Sequence, residues 1–146
     1  MARDHARIQV AIWSDPDFRA LESPAQRMYL LLLSQPRLSY CGSLDYLPSR
    51  YAMLAPDEDD LSVEQAVKRL EADRYVVVDR ESHELLIRSY VRHDGLLASP
   101  NVTKAMVKDR AALLSDRLKE VVDDELNRAY LEDSKLPGWK GLKAAD

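Results

Sequence analysis

The apolar positions at the start of the chain follow a two-residue period and then a helical one. From Arg7 to Trp13, Ile8, Val10 and Ile12 alternate with Gln9 and Ala11, the pattern of a half-buried strand, which predicts a first strand over that segment. Ser14, Asp15 and Pro16 punctuate the chain. Asp17 to Leu21 then predicts one short helical turn that tucks Phe18 and Leu21 inward. Ser23, Pro24 and Gln26 carry a helix-start signature: a serine cap, a proline where a missing N–H costs nothing, and a glutamine three residues past the cap. A helix from Pro24 to about Ser34 follows. Met28, Leu31 and Leu32 share one face, and Tyr29, Leu30 and Leu33 widen the apolar surface to most of the circumference, as in the central helix of a small core.

Pro36 ends that helix, and a glycine turn leads to a short extended piece over Ser43 to Tyr46. Pro48 opens a second helix carrying Tyr51, Ala52 and Leu54. The acidic run Asp57 to Asp60 reads as a solvated connector. Ser62 and Gln65 repeat the cap spacing, which predicts a third helix from Val63 to about Asp73. Its apolar residues Val63, Ala66, Val67 and Leu70 form one inward stripe and leave Glu64, Gln65, Lys68, Arg69 and Glu71 outside. Tyr75 to Val78 and Leu85 to Val91 match across a polar stretch of about six residues, a β-hairpin with a long loop. Beyond loops at 92–95 and 99–101, with Asn101 as a cap, a helical region runs from about Val102 to Leu131. It falls in two pieces with a new cap at Ser115 and Asp116. The tail from Lys135 to Asp146, with its glycines, proline and lysines, predicts a flexible end apart from a docked Trp139.

Strand, three helices and hairpin in this order predict an α+β, mostly α fold: a winged helix-turn-helix followed by C-terminal helices. The winged-helix domain covers 7–100, a helical extension 101–134 and a flexible tail 135–146. The stretch Ile12 to Leu21, then Ser23, Pro24 and Leu30 to Leu33, resembles the opening of the winged-helix domains in phage replisome-organiser and replication-initiation proteins. It is particularly similar to actinobacterial and actinophage proteins described as helix-turn-helix DNA-binding. The likeness continues through Leu70 to Val76 and the hairpin to Arg92, His93, Asp94 and Gly95, and so spans about residues 7 to 100. It rests on core and turn residues, which speak to fold more than to role. The resemblance implies a phage or prophage protein that binds double-stranded DNA in replication initiation or transcriptional control, inside the cytoplasm of a bacterial host cell.

Composition narrows the classes. The 146 residues make one domain's worth of chain, and 46% hydrophobic with 32% charged residues describe a globular protein with a highly charged surface. Lys plus Arg number 21 against 25 for Asp plus Glu, a net charge of -4, so the chain cannot coat nucleic acid by bulk charge and any DNA-binding face is local. Cys41 stands alone, which excludes an internal disulfide and a multi-cysteine zinc site and fits a reducing compartment. The longest apolar run, Met28 to Leu33, falls far short of the ~18 residues of a membrane span, and the N-terminus has no secretory core.

Three groups of residues are candidate DNA contacts. On the third helix, Gln65, Lys68 and Arg69 have the chemistry to read base edges or hold phosphate, since Gln pairs with adenine and Arg with guanine in bidentate fashion. The alternative is an ordinary solvated face, and Glu64, Glu71 and the acidic run weigh against DNA there. In the hairpin loop, Arg80, Ser82 and His83 form a wing that could meet phosphate or a minor groove, diluted by Glu81 and Glu84; a plain hairpin connection is the competing reading. From Arg88 to Arg110, Arg88, Arg92, Lys104, Lys108 and Arg110 stand against Asp94 and Asp109, the best local basic patch and a candidate for phosphate, with charge on a solvated helix as the competing reading.

The C-terminal apolar positions Ala111, Leu114, Leu118 and Val121, continued by Val122, Leu126, Ala129 and Tyr130, either pack back on the core or pair with a second subunit as a homodimer, the latter being the expectation. An enzyme is not expected. His5, His83 and His93 have no metal-pair spacing, Cys41 reads as a small core residue, and four glycines build no phosphate loop, so no cofactor and no metal are implied. The competing function is a winged-helix module that binds a replication or host protein, with the acidic loop as its motivating feature.

Overall fold

The computed structural model describes residues 4–93 and 96–145. Asp15 accepts the Asp17 backbone N–H at 2.9 Å and caps a first short helix, α1 (Pro16–Arg19), which buries Phe18 and is followed by buried Leu21. Helix α2 (Ser23–Leu33) buries Ala25, Met28 and Leu32. Its cap position is Glu22 rather than Ser23, and the Gln26 amide, instead of reaching back to the cap, donates to the Phe18 carbonyl at 3.0 Å and ties α2 to α1. Strand β1 (Ser43–Asp45), helix α3 (Pro48–Ala52) and helix α4 (Asp60–Ala72) follow, then strands β2 (Val76–Asp79) and β3 (Glu84–Ile87). The C-terminal part adds α5 (Tyr90–His93), α6 (Pro100–Ala111), α7 (Asp116–Glu132) and α8 (Trp139–Ala145), with single 3-10 turns at Val10–Ser14 and Leu96–Ala98. Among the described residues this is a mostly helical α+β fold of eight helices and one three-stranded antiparallel sheet of order β1-β3-β2.

The sheet places β3 in the middle, with Leu44 opposite Leu85 on one side and Val78 opposite Leu85 on the other. Leu85 and Leu86 are both fully buried. Successive strand residues point to opposite faces, so both faces of β3 are covered. Helices α2 and α4 pack together, with β2 against α4, and α7 lies against β2. Glu84, at the start of β3, accepts the backbone N–H groups of Leu114 and Ser115 at 3.0 and 2.8 Å, and the Arg117 guanidinium donates to the Val78 carbonyl. Those bonds fasten the start of α7 to the sheet. Ser115 caps α7 by accepting the Leu118 N–H, as its position predicts.

Further expectations change, beginning with the predicted strand from Leu85 to Val91, which ends at Ile87 and gives way to α5. The segment 7–13 is not a strand: Val10 is 86% exposed and 10–14 is a 3-10 turn in which the Ile12 N–H bonds Gln9. A strand needs a neighbour to satisfy its backbone, and neither edge strand, β1 or β2, takes this segment. Helix α4 begins at Asp60, before Ser62, because Asp59 is its cap: Asp59 Oδ1 accepts the Ser62 N–H at 2.7 Å and Ser62 Oγ accepts the Asp59 N–H at 2.9 Å. The acidic run is thus more than a connector. The α6 cap position is Ser99 rather than Asn101. Finally, the tail carries α8, packed on α6; Thr103 donates to the Gly138 carbonyl at 2.6 Å, and the docked Trp139 donates its indole N–H to the Asp133 carbonyl at 2.8 Å. No helix of the described residues is long and apolar enough to cross a membrane.

Candidate nucleic-acid interface

Helix α4 buries Val63, Ala66, Val67 and Leu70, the predicted stripe, against α2, α3 and β2. A helix with one buried stripe presents the opposite side to solvent. Gln65 and Lys68 stand there, exposed, and Leu61 is 65% exposed beside them. The two predicted arginines of this region are engaged. Arg69 Nε bonds Glu22 at 3.1 Å and its Nη1 bonds Asp73 at 2.7 Å.

Arg80 leaves the hairpin loop and turns back on α4. Its Nε and Nη2 bond Glu64 Oε1 at 2.9 and 2.5 Å, and its Nη1 and Nη2 bond Glu71 at 3.2 and 2.6 Å. Two-nitrogen contacts of this kind fix the guanidinium plane as well as the charge. The Tyr46 hydroxyl donates to the other Glu64 oxygen at 2.5 Å, and Arg80 lies 6.0 Å from the Tyr46 ring centre. Burial pushes the Glu64 carboxyl up, but the Tyr46 hydrogen bond and Arg80 more than offset this and leave it below the usual carboxylate range. Burial, then the Glu64 carboxylate, push the Tyr46 hydroxyl far above its ordinary value.

The loop that joins β2 to β3 is four residues long, shorter than expected, because β3 begins at Glu84. Asp79 accepts the Glu81 and Ser82 N–H groups and turns the chain, and His83 takes φ 57° to close it. His83 is exposed at the turn, whereas Ser82 Oγ is buried without a hydrogen-bond partner. Of the wing candidates, then, only His83 points its side chain to solvent unengaged.

The third patch divides. Arg88 and Arg92 face inward to Glu125, a carboxylate 1% exposed on α7, at 3.8 and 3.1 Å, and Arg128 approaches it at 3.8 Å. Arg92 also reaches Glu132 at 3.7 Å. Arg110 grips Asp123 with two bonds of 2.7 Å. Asp94, counted against this patch, lies outside the described residues. Lys104 and Lys108 remain, exposed one turn apart on α6 and in no ion pair among the described residues. Among other cations that share that condition are two near these lysines that the sequence reading did not single out: Arg37, in the loop before β1, and Arg50, on α3. They are separated in sequence from each other and from Lys104, so no charge run marks them.

Cys41 is buried in the turn before β1; burial pushes its thiol up, and its sulfur lies within hydrogen-bond reach of the Ser39 and Ser43 hydroxyls. Among the described residues no group of three His, Cys, Asp or Glu side chains is placed to hold a metal ion. Comparison of the chain with protein-family models, with curated proteins and with solved structures finds no match in any of the three.

Proposed function

We propose that this chain is a winged-helix DNA-binding protein of the phage or prophage type, acting in replication initiation or transcriptional control. The order helix, strand, helix, helix, hairpin over α2 to β3 is that of a winged helix-turn-helix, with α4 as the recognition helix and the β2–β3 loop as the wing. The observation that carries the reading is the open outer side of α4: its packing partners are α2, α3 and β2, and Gln65 and Lys68 stand exposed on it. A recognition helix needs such an uncovered polar side to enter a major groove. Binding through α4 and the hairpin loop is modest and steeply salt-dependent, because there Arg69 and Arg80 are engaged with carboxylates and Lys68 is the cation left for phosphate.

Fluorescence anisotropy with random and phage-origin duplexes at ~50 mM salt, where phosphate contacts are strongest, tests this. The chain binds, and Gln65→Ala with Lys68→Ala weakens binding; a chain that binds no duplex under these conditions removes the proposal. A homodimer, if formed through the C-terminal helices, uses what they leave outside, Leu114, Tyr130 and Leu131, since Leu118, Val122 and Ala129 are buried within the chain.

One observation favours a second reading, a module that binds a replication or host protein. Met53, Leu54 and Leu61 are 85%, 55% and 65% exposed around the acidic run. Apolar side chains rimmed by charge suit a protein surface better than a phosphate backbone. Absence of duplex binding, together with loss of a partner on Met53→Asp and Leu61→Asp, selects this reading.

A further inference from the structure

We propose that Arg50, Arg37, Lys108 and Lys104 form a second DNA-contact surface, a basic trough that holds the phosphodiester backbone of the duplex away from α4; this rests on the DNA-binding reading above. The trough is built by the loop between α2 and β1. Pro36 and Arg37 stand on a ridge between two hollows. One hollow, of about 260 Å³, has Arg50 and Tyr51 of α3 on its far wall. The other, of about 480 Å³, has Ala105 and Lys108 of α6 opposite the loop. Arg37 therefore borders both, and Lys104, one helical turn from Lys108, extends the line along α6.

What distinguishes these cations is that, among the described residues, they are free of ion pairs and gathered at the two hollows. Arg69 is matched with Glu22 and Asp73, Arg80 with Glu64 and Glu71, and Arg110 with Asp123, while other exposed arginines in no ion pair, such as Arg19 and Arg74, line neither hollow. At the trough the neighbouring carboxylates are turned to the backbone instead. Asp109 accepts the Tyr40 N–H at 2.8 Å, and Glu84 accepts the Leu114 and Ser115 N–H groups. Asp45, on the wall of the first hollow, is the acid that faces the trough without such a bond among the described residues. Three cations in no ion pair along the two hollows, with Lys104 one turn beyond them on α6, in a molecule of net charge -4, complement a line of phosphates. Arg50 belongs to α3, which packs on α4.

The test compares salt dependence of duplex binding in the whole chain and in Arg37→Gln with Lys108→Gln, Lys68→Gln and Arg19→Gln, each checked for fold by its urea midpoint. Arg19 is an exposed cation that lines neither hollow. Each phosphate contact removed lowers the slope of log K against log salt by about 0.9, so the double substitution lowers it by about 1.8 and Arg19→Gln leaves it unchanged. Binding by the wild type with a slope that the double substitution does not move, while Lys68→Gln does, overturns the trough and leaves the recognition helix standing. An equal drop with Arg19→Gln also overturns it, since net charge alone then explains the effect. A wild type that binds no duplex overturns both proposals together.

Discussion

Single side chains settle where this molecule keeps its charge. Glu125 receives Arg92 at 3.1 Å and Arg88 and Arg128 at 3.8 Å while itself 1% exposed, and the Arg88 and Arg92 Nε atoms are buried without partners. Removing the carboxylate leaves the Arg88 guanidinium largely out of water with no counter-charge and Arg92 with only the more distant, exposed Glu132, so Glu125→Ala costs about 3 kcal/mol, and Glu125→Gln less because its amide oxygen still accepts from Arg92. Urea unfolding measures both; equal stability of all three proteins contradicts the assignment. The Glu64 carboxyl makes a pH prediction. It is held below its ordinary value of 4.5 by Tyr46 and Arg80 against the effect of burial. A depressed folded value means that the contribution is complete above about pH 4.5 and is lost as pH falls through the folded value. The acid limb of the stability curve is therefore shallower in Glu64→Gln than in the wild type, measured by denaturant midpoints across that range. Apart from Arg128 with Glu125, three residues apart on α7, none of these pairings is visible in the sequence. Arg69 and Glu22 are 47 residues apart and Arg92 and Glu125 are 33, and only the fold brings them together.

At the scale of elements, the acidic run has a job that its composition concealed. Asp59→Ala removes the carboxylate that receives the Ser62 N–H, which costs about 1 kcal/mol and lowers the melting temperature by about 2–4 °C in a chain of this size. Asp57→Asn, outside the cap, leaves the melting temperature in place. Helix α8 makes a second prediction. A Cβ on Gly138 would lie 2.3 Å from the Leu97 carbonyl oxygen, and one on Gly141 2.2 Å from that of Pro100, so α8 lies against backbone that only glycine can approach. Gly138→Ala or Gly141→Ala therefore lifts α8 off α6 and exposes Trp139, read as a red-shifted, more easily quenched emission. Helices α2 and α4 and strand β2 were legible from periodicity, because each buries a stripe or an alternate set that the sequence displays, while α3 was marked by Pro48 and β3 by a run of apolar residues buried on both faces. The N-terminal segment was not. Ile8, Val10 and Ile12 alternate as a strand does, yet alternation supplies no partner for the backbone. The tail was misjudged for the reverse reason: Gly138 and Gly141 mark close approach to the backbone at Leu97 and Pro100 rather than freedom.

For the molecule as a whole, the candidate site was legible in part. Gln65 and Lys68 could be placed outside because the inward stripe of α4 is regular, while the state of Arg80 depends on a loop that folds back on the helix. This back-folding sets the largest lever on the proposed function. With Glu64 and Glu71 holding the wing arginine, the α4 side presents a closed set of ion pairs, and a phosphate must displace carboxylates to reach Arg80. Glu71→Gln together with Glu64→Gln frees the guanidinium and removes two negative charges from the face that would meet DNA. Duplex affinity at ~50 mM salt then rises severalfold, and the salt slope steepens by about 0.9 if Arg80 takes up one phosphate. Adding Arg80→Gln to that pair separates the two effects: it returns the slope to the wild-type value if the arginine is the new contact, and leaves it steep if the gain came from relieved repulsion. A double substitution that binds no better than the wild type would mean that the wing stays out of the interface, and that α4 and the trough meet the duplex without it.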